Sequence, residues 1–202
     1  MRQQLKARRM AFVAAGIALA ALLAGCSSDG LADQYGKGGN QNYISGDGSL
    51  KTFEIADRGD AVSFESETTD GDAVSSDDYV GEVLVVNFWY AACPPCRVEA
   101  PDLKDLSDQF ADKGASFLGV NVRDQKETAE LFESDFGITY PSVIDTNNGN
   151  LLFAFAKNVQ PNAVPTTLVI DKKGRVAARF LGLIEEPTTL ETIIRETIAE
   201  DD

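Results

Sequence analysis

The sequence predicts an α/β fold with a central mixed sheet, and three observations support that prediction. Residues 83–89 (VLVVNFW) form a nearly unbroken apolar run rich in β-branched side chains, which is typical of a strand buried on both faces. Strand-like segments then alternate with segments of helical apolar spacing as far as residue 198, which indicates helices packed on a sheet. About 150 residues follow a polar N-terminal stretch, which suits one domain with its own core.

The elements around the buried strand are predicted first. Residues 51–55 and 61–65 resemble short strands, and Asp70–Gly71 resembles a turn before the buried strand begins. A helix over residues 96–110 follows, and its apolar face is predicted to consist of Val98, Leu103, Leu106 and Phe110.

The second half of the domain continues the alternation. Residues 115–122 (ASFLGVNV) predict a strand, and Asp124 with Glu127 predicts a capping-box start for a helix that ends at Phe136 before Gly137. The remaining elements are predicted as strands at 141–144, 166–170 and 175–181 and helices at 151–156 and 188–198, with Gly174 in the turn of the last hairpin. The predicted order is ββ–β–α–β–α–β–α–β–β–α.

The N-terminus carries the pattern of an exported lipoprotein. A basic segment precedes the apolar run Ala11–Leu23, whose 13 residues are fewer than the roughly 20 that a spanning helix needs. Leu23-Ala24-Gly25-Cys26 resembles a bacterial lipobox, so Cys26 is predicted to carry the lipid; a free thiol or a disulfide partner are its alternatives. We therefore expect a signal peptide (1–25), a flexible tether (26–49) and a folded domain (50–200), anchored to the cell membrane outside the cytoplasm.

Charge and composition exclude several classes of function. The formal net charge is −14, and it falls to about −18 without the basic signal segment, whereas a nucleic-acid-binding surface needs a basic footprint. The chain contains no histidine, which removes histidine-based acid–base catalysis, Ser–His and Cys–His dyads and most metal sites. We expect no metal, no cofactor and a monomer.

The stretch WYAACPPCRVEAP places Cys93 and Cys96 three positions apart. A structural zinc site needs four cysteine or histidine ligands, which this chain cannot supply, and a disulfide that closes so short a loop constrains the unfolded chain little. Cys93 lies where the buried strand gives way to a helix, and the helix N-terminus favours a thiolate. The position predicts an exposed nucleophile at Cys93 and a buried resolving thiol at Cys96; an inert disulfide is the weaker alternative.

Two prolines separate the cysteines. Pro94 and Pro95 preset the backbone for a first helical turn, but neither has an N–H group. The Cys93 sulfur is therefore left chiefly with the amide of Cys96 as a donor. Since a stabilised thiolate favours the reduced form, this loss of donors favours a reductant over a strong oxidant.

Three motifs together resemble the TlpA/ResA-like thiol–disulfide oxidoreductases of the thioredoxin superfamily. They are VVNFWYAACPPCRVEAPDL, VIDTNNGNLLFAFA and VPTTLVIDKKGRVAARFLG, and the resemblance covers about residues 50–200. It implies a thioredoxin-like three-layer sandwich with an N-terminal β extension, and it matches Cys93 and Cys96 to the redox pair of these extracytoplasmic, often membrane-anchored proteins.

The resemblance also implies roles for further residues. Pro165 matches the family's cis-proline facing the redox pair, which makes Val164 the position that pairs with substrate. Glu99 matches an acid that tunes the cysteines, with a solvated helix carboxylate as its alternative. Trp89 matches an aromatic position of the family and is interpreted as part of both the core and the rim of the substrate site, with packing as its main role. Asn87 stands where many thioredoxins bury an aspartate; it cannot transfer a proton, so it is interpreted as a hydrogen-bonded strand residue.

The function that follows is the reduction of disulfides in exported proteins, with cytochrome c maturation as one setting. Such a reductant would take electrons from a membrane-embedded thiol donor, in keeping with a lipid anchor. The same motif also serves a disulfide-forming oxidant or isomerase, which the redox potential distinguishes. A peroxiredoxin-like peroxidase and a non-catalytic lipoprotein binding module are the remaining alternatives.

Overall fold

The computed structural model of the protein describes residues 49–159 and 163–200. Its strands are β1 (Leu50–Thr52), β2 (Glu65–Glu67), β3 (Ala73–Ser75), β4 (Val83–Trp89), β5 (Ala115–Asn121), β6 (Ser142–Ile144), β7 (Thr166–Ile170) and β8 (Val176–Leu181). Its α-helices are α1 (Pro94–Phe110), α2 (Lys126–Phe136), α3 (Asn150–Ala154) and α4 (Pro187–Ala199). Six strands form a mixed sheet in the order β1-β8-β7-β4-β5-β6, which confirms the predicted fold class.

Strand β4 runs through the middle of this sheet, and all seven of its residues are buried. It pairs in parallel with β5 and antiparallel with β7. Because successive side chains of a strand point to opposite faces, Val83 and Val85 pack in one core with α1 and α4, whereas Leu84 and Val86 pack in a second core that includes Leu151 of α3. The sheet therefore lies between two apolar layers, and the chain leaves β4 at one end of it.

The N-terminal region differs from the prediction in detail. Strand β1 overlaps the strand predicted at 51–55, β2 overlaps the one predicted at 61–65 only at Glu65, and β3 was not predicted, so the described residues contain one strand more than predicted. The predicted β extension is present, since β1 pairs antiparallel with β8 at the edge of the sheet. Strands β2 and β3 form a separate hairpin around the turn at Asp70–Gly71. The polar segment Glu65–Glu67 has no alternating apolar pattern, so periodicity could not find it.

The predicted apolar face of α1 is wrong at one position. Val98 is 62% exposed, whereas the buried stripe continues from Cys96 through Ala100 to Leu103, Leu106 and Phe110. Residues spaced three and four apart share a helix face, and Val98 falls off that stripe. The helix also begins at Pro94 rather than at residue 96. Both prolines lie in the first turn, where their fixed φ suits a helix.

Both edges of the sheet are short. Strand β1 at one edge and strand β6 at the other each have three residues. Thr68 makes an isolated antiparallel bridge to Val143 on the outer side of β6. Within residues 49–159 and 163–200, no helix is both long enough and apolar enough to cross a bilayer. The predicted signal peptide, tether and Cys26 lie outside the described residues and stay predictions.

Candidate active site

The two central cysteines lie at the carboxyl end of β4. Cys93 is the N-cap of α1 and is joined by a disulfide to Cys96, with 5.3 Å between the two Cα atoms. The Cys96 amide donates to the Cys93 sulfur at 3.2 Å, which is the one donor that the Pro94–Pro95 pair was predicted to leave. The pair therefore occupies the position that was predicted for a redox centre.

The predicted exposure of Cys93 is wrong for this oxidised state. Cys93 is 1% exposed and Cys96 is 2% exposed. Both sulfurs belong to an apolar cluster with Trp89, Ala100 and Phe132. Formation of the disulfide holds the Cys93 side chain against Cys96, inside this cluster.

The predicted proline follows a residue, Val164, that packs against the same cluster. The Val164–Pro165 bond is cis, as the resemblance implied. The carbonyl of Pro165 accepts a hydrogen bond from the amide of Gly182 at 2.8 Å, which ties this turn to the segment after β8. Val164 is half-buried and packs against the cluster that contains both cysteines. The fold thus brings residues about seventy positions apart in the chain to one site.

Glu99 is a buried carboxyl group and not a solvated one, so the solvated alternative is wrong. It is 1% exposed and lies one helical turn after Cys96. It accepts hydrogen bonds from the side-chain amide of Asn87 at 2.9 Å and from the amide of Ile184 at 3.3 Å. Burial raises the pKa of Glu99 to about 7, although both hydrogen bonds oppose the rise. The carboxyl group is therefore partly protonated near neutral pH.

Asn87 is the hydrogen-bonded strand residue that the sequence predicted. Its side-chain amide donates to Glu99 and also to the hydroxyl of Thr167, at 3.0 Å. The partnership with Glu99 was not predicted, because the two residues lie on different elements and share no local pattern. The only available signal was a polar side chain in an otherwise apolar strand.

A small cavity lies beside Cys96. Its volume is about 10 Å³, and the residues that line it include the polar residues Asn87, Tyr140 and Ser142. That volume suits a single water molecule, which needs two or more polar partners. Burial raises the pKa of Tyr140 above its usual value, so its hydroxyl stays protonated and can donate. The cavity beside Cys96 is thus lined by polar as well as apolar side chains.

Trp89 has the predicted packing role. It is 4% exposed, and its ring lies 4.4 Å from the ring of Phe132, centroid to centroid. Gly119 on the neighbouring strand lies against it: a Cβ there would be 3.0 Å from the indole nitrogen and would collide with the hydroxyl of Ser142. A larger residue at position 119 would therefore force Ser142 or the tryptophan to shift.

The loop between Trp89 and Cys93 is held by Asp124, a residue that was predicted to cap a helix. Asp124 was predicted to cap α2, but the N-cap is Gln125, without a side-chain bond. Instead, the Asp124 carboxylate accepts from the Ala91 amide at 2.6 Å and from the Asn121 side chain at 2.9 Å. The carboxylate therefore fixes the chain just before the first cysteine.

Two arginines border the same loop, and no sequence pattern had indicated a role for them. The Arg97 guanidinium donates to the carbonyl of Ala91 at 3.3 Å and lies 4.9 Å from the ring centroid of Phe136. The Arg123 guanidinium lies 4.2 Å from the ring centroid of Tyr90. Both side chains are exposed. The rim of the site thus carries cationic as well as apolar groups.

Comparison with known proteins identifies the family. Residues 58–179 match the model of the AhpC/TSA family. The chain is 40% identical over 105 residues to the thiol-disulfide oxidoreductase ResA of Geobacillus kaustophilus. The aligned residues make up 52% of this chain and 58% of that protein. It is 31% identical over 132 residues to ResA of Bacillus subtilis, and these residues make up 65% of this chain and 71% of that protein.

Solved structures agree with these relatives. A secreted thiol-disulfide isomerase from Corynebacterium glutamicum matches with a TM-score of 0.70 and 29% identity, covering 81% of this chain and all of that one. The resemblance and the enzyme class inferred from the three motifs are thereby confirmed. The chain belongs to the AhpC/TSA family and, within it, to the ResA-like thiol–disulfide oxidoreductases.

Proposed function

We propose that the chain reduces disulfides in exported proteins. The observation that carries this proposal is the Cys93–Cys96 pair at the start of α1, beside a buried Glu99 whose pKa is about 7. Pro94 and Pro95 leave the Cys93 sulfur with the Cys96 amide as its donor, which limits stabilisation of the thiolate. A less stabilised thiolate lowers the reduction potential of the pair and so supports reduction of substrate.

The first step is attack by Cys93. Its thiolate forms a bond to one sulfur of the substrate disulfide, the substrate S–S bond breaks, and the other substrate sulfur leaves as a thiolate that takes a proton from solvent. The N-terminus of α1 and the Cys96 amide favour the attacking thiolate. The product is a mixed disulfide between Cys93 and the substrate.

The second step requires that Cys96 lose its proton. Glu99 is the base in this proposal, since it is buried one turn further along the same helix face and is partly ionised near pH 7. The Cys96 thiolate then attacks the Cys93 sulfur, and the second substrate thiolate departs and is protonated. The substrate has gained two electrons and two protons, and the chain is left with the Cys93–Cys96 disulfide.

In this proposal, Val164 and Pro165 provide the substrate-facing backbone. Trp89 supports them as part of the apolar cluster against which Val164 packs. The support is positional, because Val164 packs against the cluster that holds both cysteines. An extended substrate segment beside Val164 would bring its disulfide to Cys93. This is the mode in which a peptide adds main-chain hydrogen bonds to an existing strand.

The setting of the reaction is the outer side of the cell membrane. The basic segment, the apolar run and Leu23-Ala24-Gly25-Cys26 support export and a lipid anchor on Cys26. The regenerating electrons would come from a membrane-embedded dithiol, which transfers two electrons and two protons to the Cys93–Cys96 disulfide. Apocytochrome c is the substrate that the ResA resemblance brings forward. The enzyme would act as a monomer and without a cofactor.

The deciding experiment is the reduction potential of the Cys93–Cys96 pair, measured on the chain without its signal segment in defined thiol–disulfide buffers. Thioredoxin lies near about −270 mV and the strong oxidant DsbA near about −120 mV. We expect a value at or below about −240 mV. A value above about −180 mV would overturn the reductant and make the protein a disulfide-forming enzyme.

A second readout separates an enzyme from a binding module. Cys93→Ser should abolish disulfide exchange completely, because it removes the attacking sulfur. If partner binding survived in this variant and the wild-type pair did not exchange at all in its native state, the disulfide would be structural and the lipoprotein a binding module.

A further inference from the structure

We infer that Arg97 and Arg123 form a cationic rim that selects polypeptide substrates with acidic residues beside the reactive cysteine. This inference rests on the proposed function, because it specifies the substrate class of the Cys93–Cys96 site. It starts from the two guanidinium groups that border the loop Tyr90–Ala92, immediately before Cys93.

Both guanidinium groups are held in place without losing their charge. Arg97 lies over the ring of Phe136 and donates to the carbonyl of Ala91, and Arg123 lies over the ring of Tyr90. An aromatic face attracts a cation but carries no formal charge, so these contacts position the arginines and leave the positive charges unneutralised. Fixed groups also lose less side-chain entropy when they bind a carboxylate.

Neither arginine is neutralised by a carboxylate within the described residues. The ion pairs found there involve Arg58, Lys104, Lys126, Arg175 and Arg195, but not Arg97 or Arg123. The carboxylate adjacent to Arg123 in the chain, Asp124, accepts from the Ala91 amide and from Asn121.

These two arginines stand out against the charge of the rest of the chain, which has 32 acidic and 18 basic residues. Solvent ions screen exposed charges beyond about 8 Å at physiological ionic strength, so the acidic surface elsewhere contributes little at this loop. At contact distance, the two guanidinium groups therefore determine which substrate side chains are favoured beside the reactive cysteine. Planar guanidinium groups bind carboxylates through paired hydrogen bonds, which identifies acidic side chains as the partners.

The test measures how fast Cys93 forms a mixed disulfide with three peptides. The mature chain carries Cys96→Ser, so that the mixed disulfide accumulates. The peptides share one sequence with a single cysteine, are linked as symmetric disulfide dimers, and carry two aspartates, two asparagines or two lysines beside the cysteine. Each rate is divided by the rate of the same peptide with dithiothreitol, which removes differences in the intrinsic reactivity of the peptide disulfide.

We expect the acidic peptide to react about tenfold faster than the neutral one and the basic peptide to react slowest. The preference should shrink as salt is added. Arg97→Gln with Arg123→Gln should bring the ratio of acidic to neutral rates close to one, and the corresponding lysine substitutions, which keep the charges, should retain most of it. Arg195→Gln is the matched control, because its guanidinium also lies over a ring, that of Phe110 at the far end of α1.

The possible outcomes separate the inference from the proposed function. If all three peptides exchange at the same normalised rate, or if the double glutamine variant slows all three by one factor, the cationic rim has no selective role and the inference is overturned alone. If no peptide exchanges with Cys93 while each is reduced by dithiothreitol, the proposed function fails and the inference falls with it.

Discussion

At the scale of single residues, Glu99 shows how burial changes a common side chain. Its pKa rises from 4.5 to about 7 because the buried carboxylate loses more solvation than its hydrogen bonds restore. The folded chain therefore holds this proton more tightly than the unfolded chain. The resulting stabilisation is fully present below pH 4.5 and is lost as the pH rises through about 7.

Replacement of this carboxyl group should make stability less dependent on pH. We expect the oxidised wild-type chain to lose about 3 kcal/mol of unfolding free energy through Glu99 between pH 4.5 and pH 8, and Glu99→Gln to lack this loss. Urea denaturation of both chains at several pH values measures the difference. Glu127→Gln, an exposed change on α2, is the control. Parallel stability curves for wild type and Glu99→Gln would show that the buried group does not titrate in this range.

At the scale of elements, Gly119 fixes how closely β5 passes beneath Trp89. We expect Gly119→Ala to lower the unfolding free energy by about 1–3 kcal/mol, because the added methyl group meets the Ser142 hydroxyl and the indole nitrogen. Gly59→Ala is the matched control, since a Cβ at Gly59 has no atom within 4 Å. Urea denaturation measures both. Equal stability of the two variants would mean that β6 or the tryptophan moves aside at little cost.

The loop before the dithiol depends on an acceptor from another element. We expect Asp124→Ala to lower the unfolding free energy by about 1–3 kcal/mol, because the Ala91 amide and the Asn121 side chain each lose their carboxylate acceptor. The amide of Ala91 should then exchange its hydrogen faster, as measured by hydrogen exchange with NMR detection. Unchanged protection of that amide would contradict the assigned role of Asp124.

The elements also show what the sequence can and cannot predict. Strand β4 and most of α1 were predicted because an unbroken apolar run and a helical apolar spacing are local patterns, whereas the hairpin β2–β3 has polar positions and no period. Glu99 could not be identified as buried, because an acidic residue is usually exposed and its partners lie 12 and 85 residues away. The Pro94–Pro95 effect on donors was predictable, since a missing N–H depends on residue type alone.

At the scale of the whole molecule, Arg58 joins the N-terminal extension to the far end of the chain. Its guanidinium contacts Asp171 at 2.8 Å and Glu200 at 2.5 Å, and its side chain is 4% exposed. Burial alone would raise the pKa of Asp171, but the Arg175 amide and the two arginine side chains outweigh it and hold that pKa below its usual value. The cluster therefore links the segment after β1, the last hairpin and the end of α4.

Removal of this guanidinium should affect the stability of the whole domain. We expect Arg58→Ala to cost about 3 kcal/mol of unfolding free energy, because it leaves a buried carboxylate with fewer partners. Lys104→Ala, which removes an exposed ion pair with Asp108, should cost much less. Thermal and urea denaturation of both variants measure the contrast. Similar losses would mean that solvent or Arg175 replaces the missing contacts.

The short edge strands of the sheet affect how the protein can associate with its substrates. The substrates of the proposed function are exported chains, and an unfolded chain exposes backbone that can pair with a free strand edge. Here β1 and β6 offer three residues each, and Thr68 already occupies part of the outer side of β6. Edge strands this short offer few unpaired backbone groups for edge-to-edge aggregation. Under the proposed function, such short edges would limit pairing between the sheet and an unfolded substrate after the disulfide has been exchanged.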